Sequence, residues 1–335
     1  MMLSGFFFAF LLSAALIGYV RSKAEKWGMV DIPNDRSSHT DRTPRSAGIG
    51  FFMAAAVVLP LFNPALVFSH LWAFTAIFLV FIVGVLDDHH NTSPNTKFFV
   101  IILSTVFLYF DGLLIDDLGT FWGIQLSLGW LALPFTVFAV TGFTNALNLA
   151  DGLDGLAGTL SIVILLGFFT LGYTHGDDFM MSLSGMFIAV VLAFLLYNWH
   201  PASIFMGDSG SLTLGFVISL LAIHSLKYLP AVSILFVAAI PILDTLVVMI
   251  RRKRKGRSMF SADRCHIHHI MRHFFAKDTP RTVLFLGILQ AIYTFTGLQL
   301  GKTSDEGYLL MLFILNVAMV YLFLGAMIKR QKRDC

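Results

Sequence analysis

Four polar clusters interrupt the long apolar runs of this chain: LDDHH at Leu86–His90, NALNLADGLDGLAG at Asn145–Gly158, NWHPASIFMGDSGS at Asn198–Ser211 and DRCHIHH at Asp263–His269. Carboxylates of this kind bind hard cations. Mg²⁺ in particular keeps several waters, takes one or two protein carboxylates and completes its shell with substrate phosphates. Asn145 and Asn148 are spaced i, i+3 and share one face of a helix, where an amide ligates metal or ligand oxygens without adding charge. The glycines of DGLDG let backbone N–H groups approach a phosphate at the start of the next helix. Lys97, the loop arginines and the imidazoles offset the repulsion between carboxylates and phosphate. The chemistry that fits is a metal–diphosphate site.

Each cluster alone has an ordinary explanation. Two acids can end a helix in water, and Asp-Gly is a strong turn signal. DGLDGLAG lacks the alternating acids and closing Glu of a calcium loop, and GDSGS does not match G-x-S-x-G. HIHH is a solvated loop cluster or a metal site, and no CxxC pair accompanies it to suggest zinc. RRKRKGR (Arg251–Arg257) is most simply a topology signal that binds anionic lipid heads. Where the clusters fall relative to the apolar runs decides between these readings.

The elements that must position them are membrane helices. The 335 residues are 57% hydrophobic with a mean hydropathy of +0.78 and only 13% charged residues, too apolar for a soluble core. A span needs about 20 apolar residues. Eleven segments qualify, near 3–20, 46–63, 67–86, 97–110, 129–147, 157–173, 180–197, 210–226, 231–250, 282–299 and 307–328. The first lacks a basic n-region and reads as an uncleaved helix. The expected fold is a single all-α polytopic membrane domain over 1–335, N-terminus outside and C-terminus cytoplasmic. Its cytoplasmic loops are 21–45, 87–96, 148–156, 198–209 and 251–281. With Lys97 and the C-terminal tail, that side carries 21 of the 23 Lys and Arg residues; only Lys227 and Lys302 fall outside. All four polar clusters then share the cytoplasmic face.

These residues resemble a family. LDD, N-x-x-N-x-x-D-G-x-D-G-L, N-x-x-P-A-x-x-F-M-G-D-x-G-S and H-x-H-H follow one another in order, after the segment DIPNDRSSHTDRTPRSAGIG (Asp31–Gly50). The pattern looks like the polyprenyl-phosphate N-acetylhexosamine-1-phosphate transferases, which include the phospho-MurNAc-pentapeptide translocases and the enzymes starting O-antigen, enterobacterial common antigen and teichoic acid. Ile267 interrupts the three consecutive histidines usual in the translocase branch, so the chain looks closer to the GlcNAc-type branch.

The resemblance implies a reaction. A polyprenyl (undecaprenyl) phosphate attacks the phosphorus of a UDP-N-acetylhexosamine nearest the sugar, UMP leaves, and a lipid-linked diphospho-sugar forms at the bacterial inner membrane. By motif, Asp208 and Asn148 would hold Mg²⁺, or Mn²⁺ in its place. Asp87 and Asp88 would position or deprotonate the lipid phosphate and help hold the metal. Asp151 and Asp154 would organise the nucleotide side together with Asn145, with Asn198 near the uracil. Arg45 and Lys97 would meet phosphate, and His266, His268 and His269 the diphosphate or sugar. The partners are these two substrates and membrane lipid, not nucleic acid; a homodimer is compatible with the resemblance.

A transporter is the rival reading. It requires ionisable groups near the bilayer midplane at broken helices, and Asp244 in PILDTLVV is the residue that fits it. No residue discriminates among GlcNAc, GalNAc, FucNAc and QuiNAc.

Overall fold

A computed structural model describes residues 2–31, 42–258, 265–300 and 305–331. Most of the early segment, 32–41, and the start of the DRCHIHH cluster lie outside these residues.

Helices cover all eleven expected segments. Eight are long and apolar enough to cross a membrane by length and composition: α1 (Met2–Lys23), α4 (Leu71–His90), α6 (Ala132–Ala150), α7 (Leu156–His175), α8 (Asp178–Asn198), α9 (Asp208–Ser225), α13 (Thr279–Leu300) and α14 (Glu306–Arg330). Two more are apolar but shorter, α2 (Ala47–Phe62) and α5 (Pro94–Phe110). Between α2 and α4 lies the short α3 (Pro64–Ser69), and α12 (Ile267–Phe274) precedes α13. The protein is thus a polytopic helical membrane protein. Its expectation as purely α-helical needs one correction. Two small antiparallel ladders are present, β1 (Val30–Asp31) with β2 (Thr43–Pro44) and β3 (Asp117–Phe121) with β4 (Ile124–Ser127). They close loops, where the chain leaves the apolar phase and hairpin pairing satisfies its backbone.

The segment 231–250 also departs from the expected continuous span. It is broken into α10 (Ala231–Val237) and α11 (Ala239–Arg254), bent by 92°. Pro241 is the sequence cause: it has no N–H to donate to the carbonyl of Val237, four residues earlier. In an apolar phase the freed groups need other partners. Gln290 of α13, fully buried, supplies them: Ile240 N–H donates to its Oε1 at 2.9 Å, and its Nε2 donates to Val237 O at 2.8 Å. Thr294 Oγ1 donates to the same carbonyl at 2.9 Å. At the other end of α10, Glu306 accepts from the N–H groups of Ala231 and Val232 at 2.7 and 2.9 Å. The start of α10 therefore lies beside the start of α14. Gln331, just past the other end of α14, bonds the Ile270 carbonyl of α12 at 3.3 Å.

The core has two parts. The larger gathers α1, α2, α4, α8 and α9 around Phe51, Phe194 and Phe216; the second lies among α10–α14 around Phe236, Ile270 and Phe313. The most enclosed candidate span is α9, with 89% of its apolar window buried, whereas α14 has 17%. Small residues let neighbours reach α9 backbone to backbone. A Cβ on Gly84 of α4 would lie 2.5 Å from Ser209 Cα, and one on Gly215 of α9 would lie 2.8 Å from Thr144 Cα of α6. These contacts bring the ends of α4 and α6 to the start of α9.

Candidate active site

Asp87 and Asp88 occupy the last turn of α4, where a helix dipole disfavours negative charge. Both are buried and both are compensated from other elements. Asp88 turns to the N-terminus of α9, whose cap residue Gly207 has no side chain to offer. Asp88 Oδ1 accepts the N–H of Asp208 at 2.8 Å; Oδ2 accepts the N–H of Ser209 at 3.2 Å and its hydroxyl at 2.6 Å. Asp88 is therefore the cap of a helix 120 residues away in sequence. Arg45 closes the far end of the turn, donating from Nη2 to the Asp88 carbonyl at 2.6 Å and to Asn91 Oδ1 at 3.1 Å. Among the described residues its buried Nε has no hydrogen-bond partner, which makes it a donor suited to a phosphate oxygen.

Asp87 and Asp208 face one cation. Lys97, in the first turn of α5, places Nζ 2.7 Å from Asp208 Oδ2 and 3.2 Å from Asp87 Oδ1. Thr92 Oγ1 donates to Asp87 Oδ1 at 2.9 Å. Asn148, near the end of α6, donates from Nδ2 to Asp208 Oδ1 at 3.0 Å and to Ser211 Oγ at 2.7 Å. Those bonds occupy the amide nitrogen and leave its carbonyl oxygen as the atom Asn148 can offer a cation. Asn145, half-buried, sits one turn earlier on the same helix.

Asp151 follows directly after α6. Burial first, then the negative charges of Asp208, Asp88 and Asp154, together raise its carboxyl to about 7. Two carboxylates, Asp87 and Asp208, thus share one ammonium, with the carboxyl of Asp151 close enough to feel the charge of Asp208. That surplus of negative charge fits a divalent cation. Among the described residues no three His, Cys, Asp or Glu side chains close into a protein-only cage.

The histidine motif reaches the same loop from the other side. His268 is buried with its ring against Gly152: a Cβ there would lie 2.3 Å from His268 Nε2. Burial, followed by the neighbouring His269, pushes His268 down to about 3, so it works as a neutral ring. The rings of His268 and His269 tilt together at 4.3 Å. His266 is also buried, with Nδ1 2.8 Å from Asp244 Oδ2. Asp244 therefore joins the histidine motif and stands in no separate ion path, which removes the main support for the transporter reading.

Two expected substrate contacts have structural partners. Asp154 Oδ2 lies 2.7 Å from His200 Nδ1 and accepts the Ala202 N–H at 3.1 Å. The buried Asn198 accepts from Gly155 N–H at 2.8 Å and donates to Ile204 O at 2.9 Å. As placed, both tie the 151–155 turn to the 199–207 loop. The structure thus brings together Arg45, Asp87, Asp88, Lys97, Asn148, Asp151 and Asp208. His268 joins them through the Gly152 turn, and Asp154 and Asn198 serve as struts. Sequence reasoning did not single out Ser209, Ser211, Thr92 or Gln290. Of these only Gln290 carried a signal, as a lone amide within an apolar span.

A family model described as glycosyl transferase family 4 matches residues 70–226. A probable undecaprenyl-phosphate N-acetylglucosaminyl 1-phosphate transferase of Bacillus subtilis (strain 168) is 34% identical over 306 residues, covering 90% of this chain and 85% of that protein. The undecaprenyl-phosphate alpha-N-acetylglucosaminyl 1-phosphate transferase of Yersinia pestis is 32% identical, covering 97% of this chain and 91% of its own length. The enzyme of the same name from Escherichia coli (strain K12) is 31% identical over 78% of this chain and 74% of its own. The chain belongs to glycosyl transferase family 4, the polyprenyl-phosphate N-acetylhexosamine-1-phosphate transferases.

Proposed function

We propose that this protein transfers N-acetylglucosamine 1-phosphate from UDP-N-acetylglucosamine to undecaprenyl phosphate. One observation carries the reading: Asp87, Lys97, Asn148 and Asp208 meet at the ends of four membrane helices. There, a lipid-borne phosphate and a soluble nucleotide can approach each other. The names of the relatives support the choice of sugar and lipid.

A phosphate oxygen of the lipid attacks the phosphorus next to the sugar. The bond from that phosphorus to the bridging oxygen breaks, and UMP leaves with the electron pair. The lipid phosphate is mostly ionised near neutral pH, so no strong base is required of Asp87 or Asp88. Asp208 and the Asn148 carbonyl would hold Mg²⁺, which supplies charge stabilisation to the transferring and leaving oxygens. Lys97 and the Arg45 Nε donor screen phosphate charge. The neutral His268 hydrogen-bonds the nucleotide sugar beside Gly152, while Asp88 keeps the start of α9 rigid.

The same reading places eleven crossings in the inner membrane, with α10–α11 counted as one bent span, and sets the site on the cytoplasmic face where the basic loops lie. The test is UMP release by detergent-solubilised protein supplied with undecaprenyl phosphate and a panel of UDP-sugars. UDP-N-acetylglucosamine should give the highest kcat/KM. Release with another sugar alone would overturn the sugar assignment, and no release with any would overturn the reaction.

A further inference from the structure

We infer that Asp244 is a positioning residue for the histidine motif, and that the break in span nine held by Gln290 is what delivers Asp244 to it. The inference rests on the reading that the histidines contact the nucleotide sugar.

Asp244 is 2% exposed, on the inner face of α11. Its Oδ1 accepts the N–H of Ile267 at 2.6 Å, one of the N–H groups that the start of α12 leaves without a helical partner. Its Oδ2 lies 2.8 Å from His266 Nδ1 and 4.0 Å from His268 Nδ1. An ionised carboxylate only accepts hydrogen bonds. His266 Nδ1 therefore carries a proton, and in the neutral ring Nε2 is left as an acceptor directed away from Asp244. One carboxylate thus pins the first residue of α12 and sets the tautomer of the ring before it. The His266 and His268 rings lie nearly parallel, 5.6 Å apart at 16°, and Gly152 bounds the second ring. The motif is fixed on one side by Asp244 and on the other by the DGLDG turn.

The position of Asp244 depends on the break. Ile240, whose N–H is held by Gln290, is four residues before Asp244 and on the same helix face. The 92° bend fixes where that face points. Gln290 bonds Ile240, Val237 and Thr294, so it acts on the motif through α11.

The test uses purified full-length Asp244→Asn, His266→Ala, His268→Ala, the Asp244→Asn/His266→Ala double variant and Gln290→Leu, assayed with UDP-N-acetylglucosamine and undecaprenyl phosphate. An amide at 244 can accept from Ile267 only while presenting a donor to His266. Its kcat/KM for the nucleotide sugar should fall about 10–100-fold, the usual range for a residue that orients another ligand group, with the KM for undecaprenyl phosphate unchanged. Asp244→Asn should add nothing in the His266→Ala background, and Gln290→Leu should lower the same parameter. If His266→Ala is impaired while Asp244→Asn is not, or the two losses multiply, the inference fails and the histidine reading stands. If neither His266→Ala nor His268→Ala alters kinetics, the histidine reading fails and this inference with it. If Asp244→Asn does not yield folded protein, nitrogen-15 spectra of histidine-labelled wild type decide, with His266→Gln for assignment. A protonated Nδ1 supports the inference and a protonated Nε2 overturns it.

Discussion

Asp88 Oδ1 accepts the backbone N–H of Asp208 at 2.8 Å, so one carboxylate of the site caps the helix that carries another. The two should therefore differ on mutation. Asp208→Asn removes the formal charge opposite Lys97 and the cation but leaves the cap, and losing one hard-cation carboxylate costs several kcal/mol of transition-state stabilisation. We expect kcat to fall by a factor on the order of 100 or more, with an unchanged melting temperature. Asp88→Ala strands two N–H groups and a hydroxyl at the start of α9, at about 1–3 kcal/mol for a buried unsatisfied group. It should lose both activity and several degrees of melting temperature. Thermal scans with UMP-release assays on both variants check this; equal melting losses would contradict it.

Gly207 is the second point of leverage. Its φ of 72° and ψ of 171° fall where side chains are disfavoured, and a Cβ there would lie 2.6 Å from both Asp88 carboxylate oxygens. Backbone strain of this kind costs about 1–3 kcal/mol. Gly207→Ala should lower both stability and kcat, while Gly142→Ala, on open helix surface, should leave both near wild type. Wild-type behaviour of Gly207→Ala would argue against the tight Asp88–α9 junction.

Asp151 gives a pH dependence. Its carboxyl, raised to about 7 from 3.8 chiefly by burial, holds its proton in the fold where the unfolded chain has lost it. The folded state then binds more protons across that interval, so the contribution of this group to stability falls as pH rises from near 4 toward 7. In chelator, Asp151→Asn should therefore raise the melting temperature relative to wild type more at pH 8 than at pH 5. Mg²⁺ should shrink the difference at pH 8, because it neutralises the ionised form. A difference independent of pH would show that burial does not hold the proton.

Orientation is open to a labelling experiment. Cysteine introduced at Asp177, in the turn between α7 and α8, should react only from outside, and cysteine at Lys255, just past α11, only from the cytoplasm. Labelling of both from one side would require a different number of crossings.

The segments and the chemistry were legible in the sequence because both depend on local pattern. Apolar runs of span length mark helices wherever they fold, and the order of the LDD, DGLDG, FMGD and HIHH motifs marked a phosphate-handling site. The division of labour within the site was not legible. Asp154 and Asn198 look like ligand contacts in a motif, yet their partners, His200 and the backbone of Gly155 and Ile204, are set by how two loops meet. Asp244 could be read as a midplane charge until its hydrogen bond to His266 was placed.

The sequence by itself determined a polytopic helical membrane protein: where the helices run, and which polar groups have no reason to lie in lipid except to bind something. Each of those follows from the free energy of moving individual residues between water and hydrocarbon, which is a property of the residue. Only the tertiary structure decided that Asp88 caps α9, that Lys97 bridges Asp87 and Asp208, and that Gln290 holds the bend in span nine. Apart from Lys97 and Asp87, which face each other across one helix junction, those depend on pairs more than 50 residues apart in sequence meeting within 3.2 Å, and such meetings are set by the packing of whole helices.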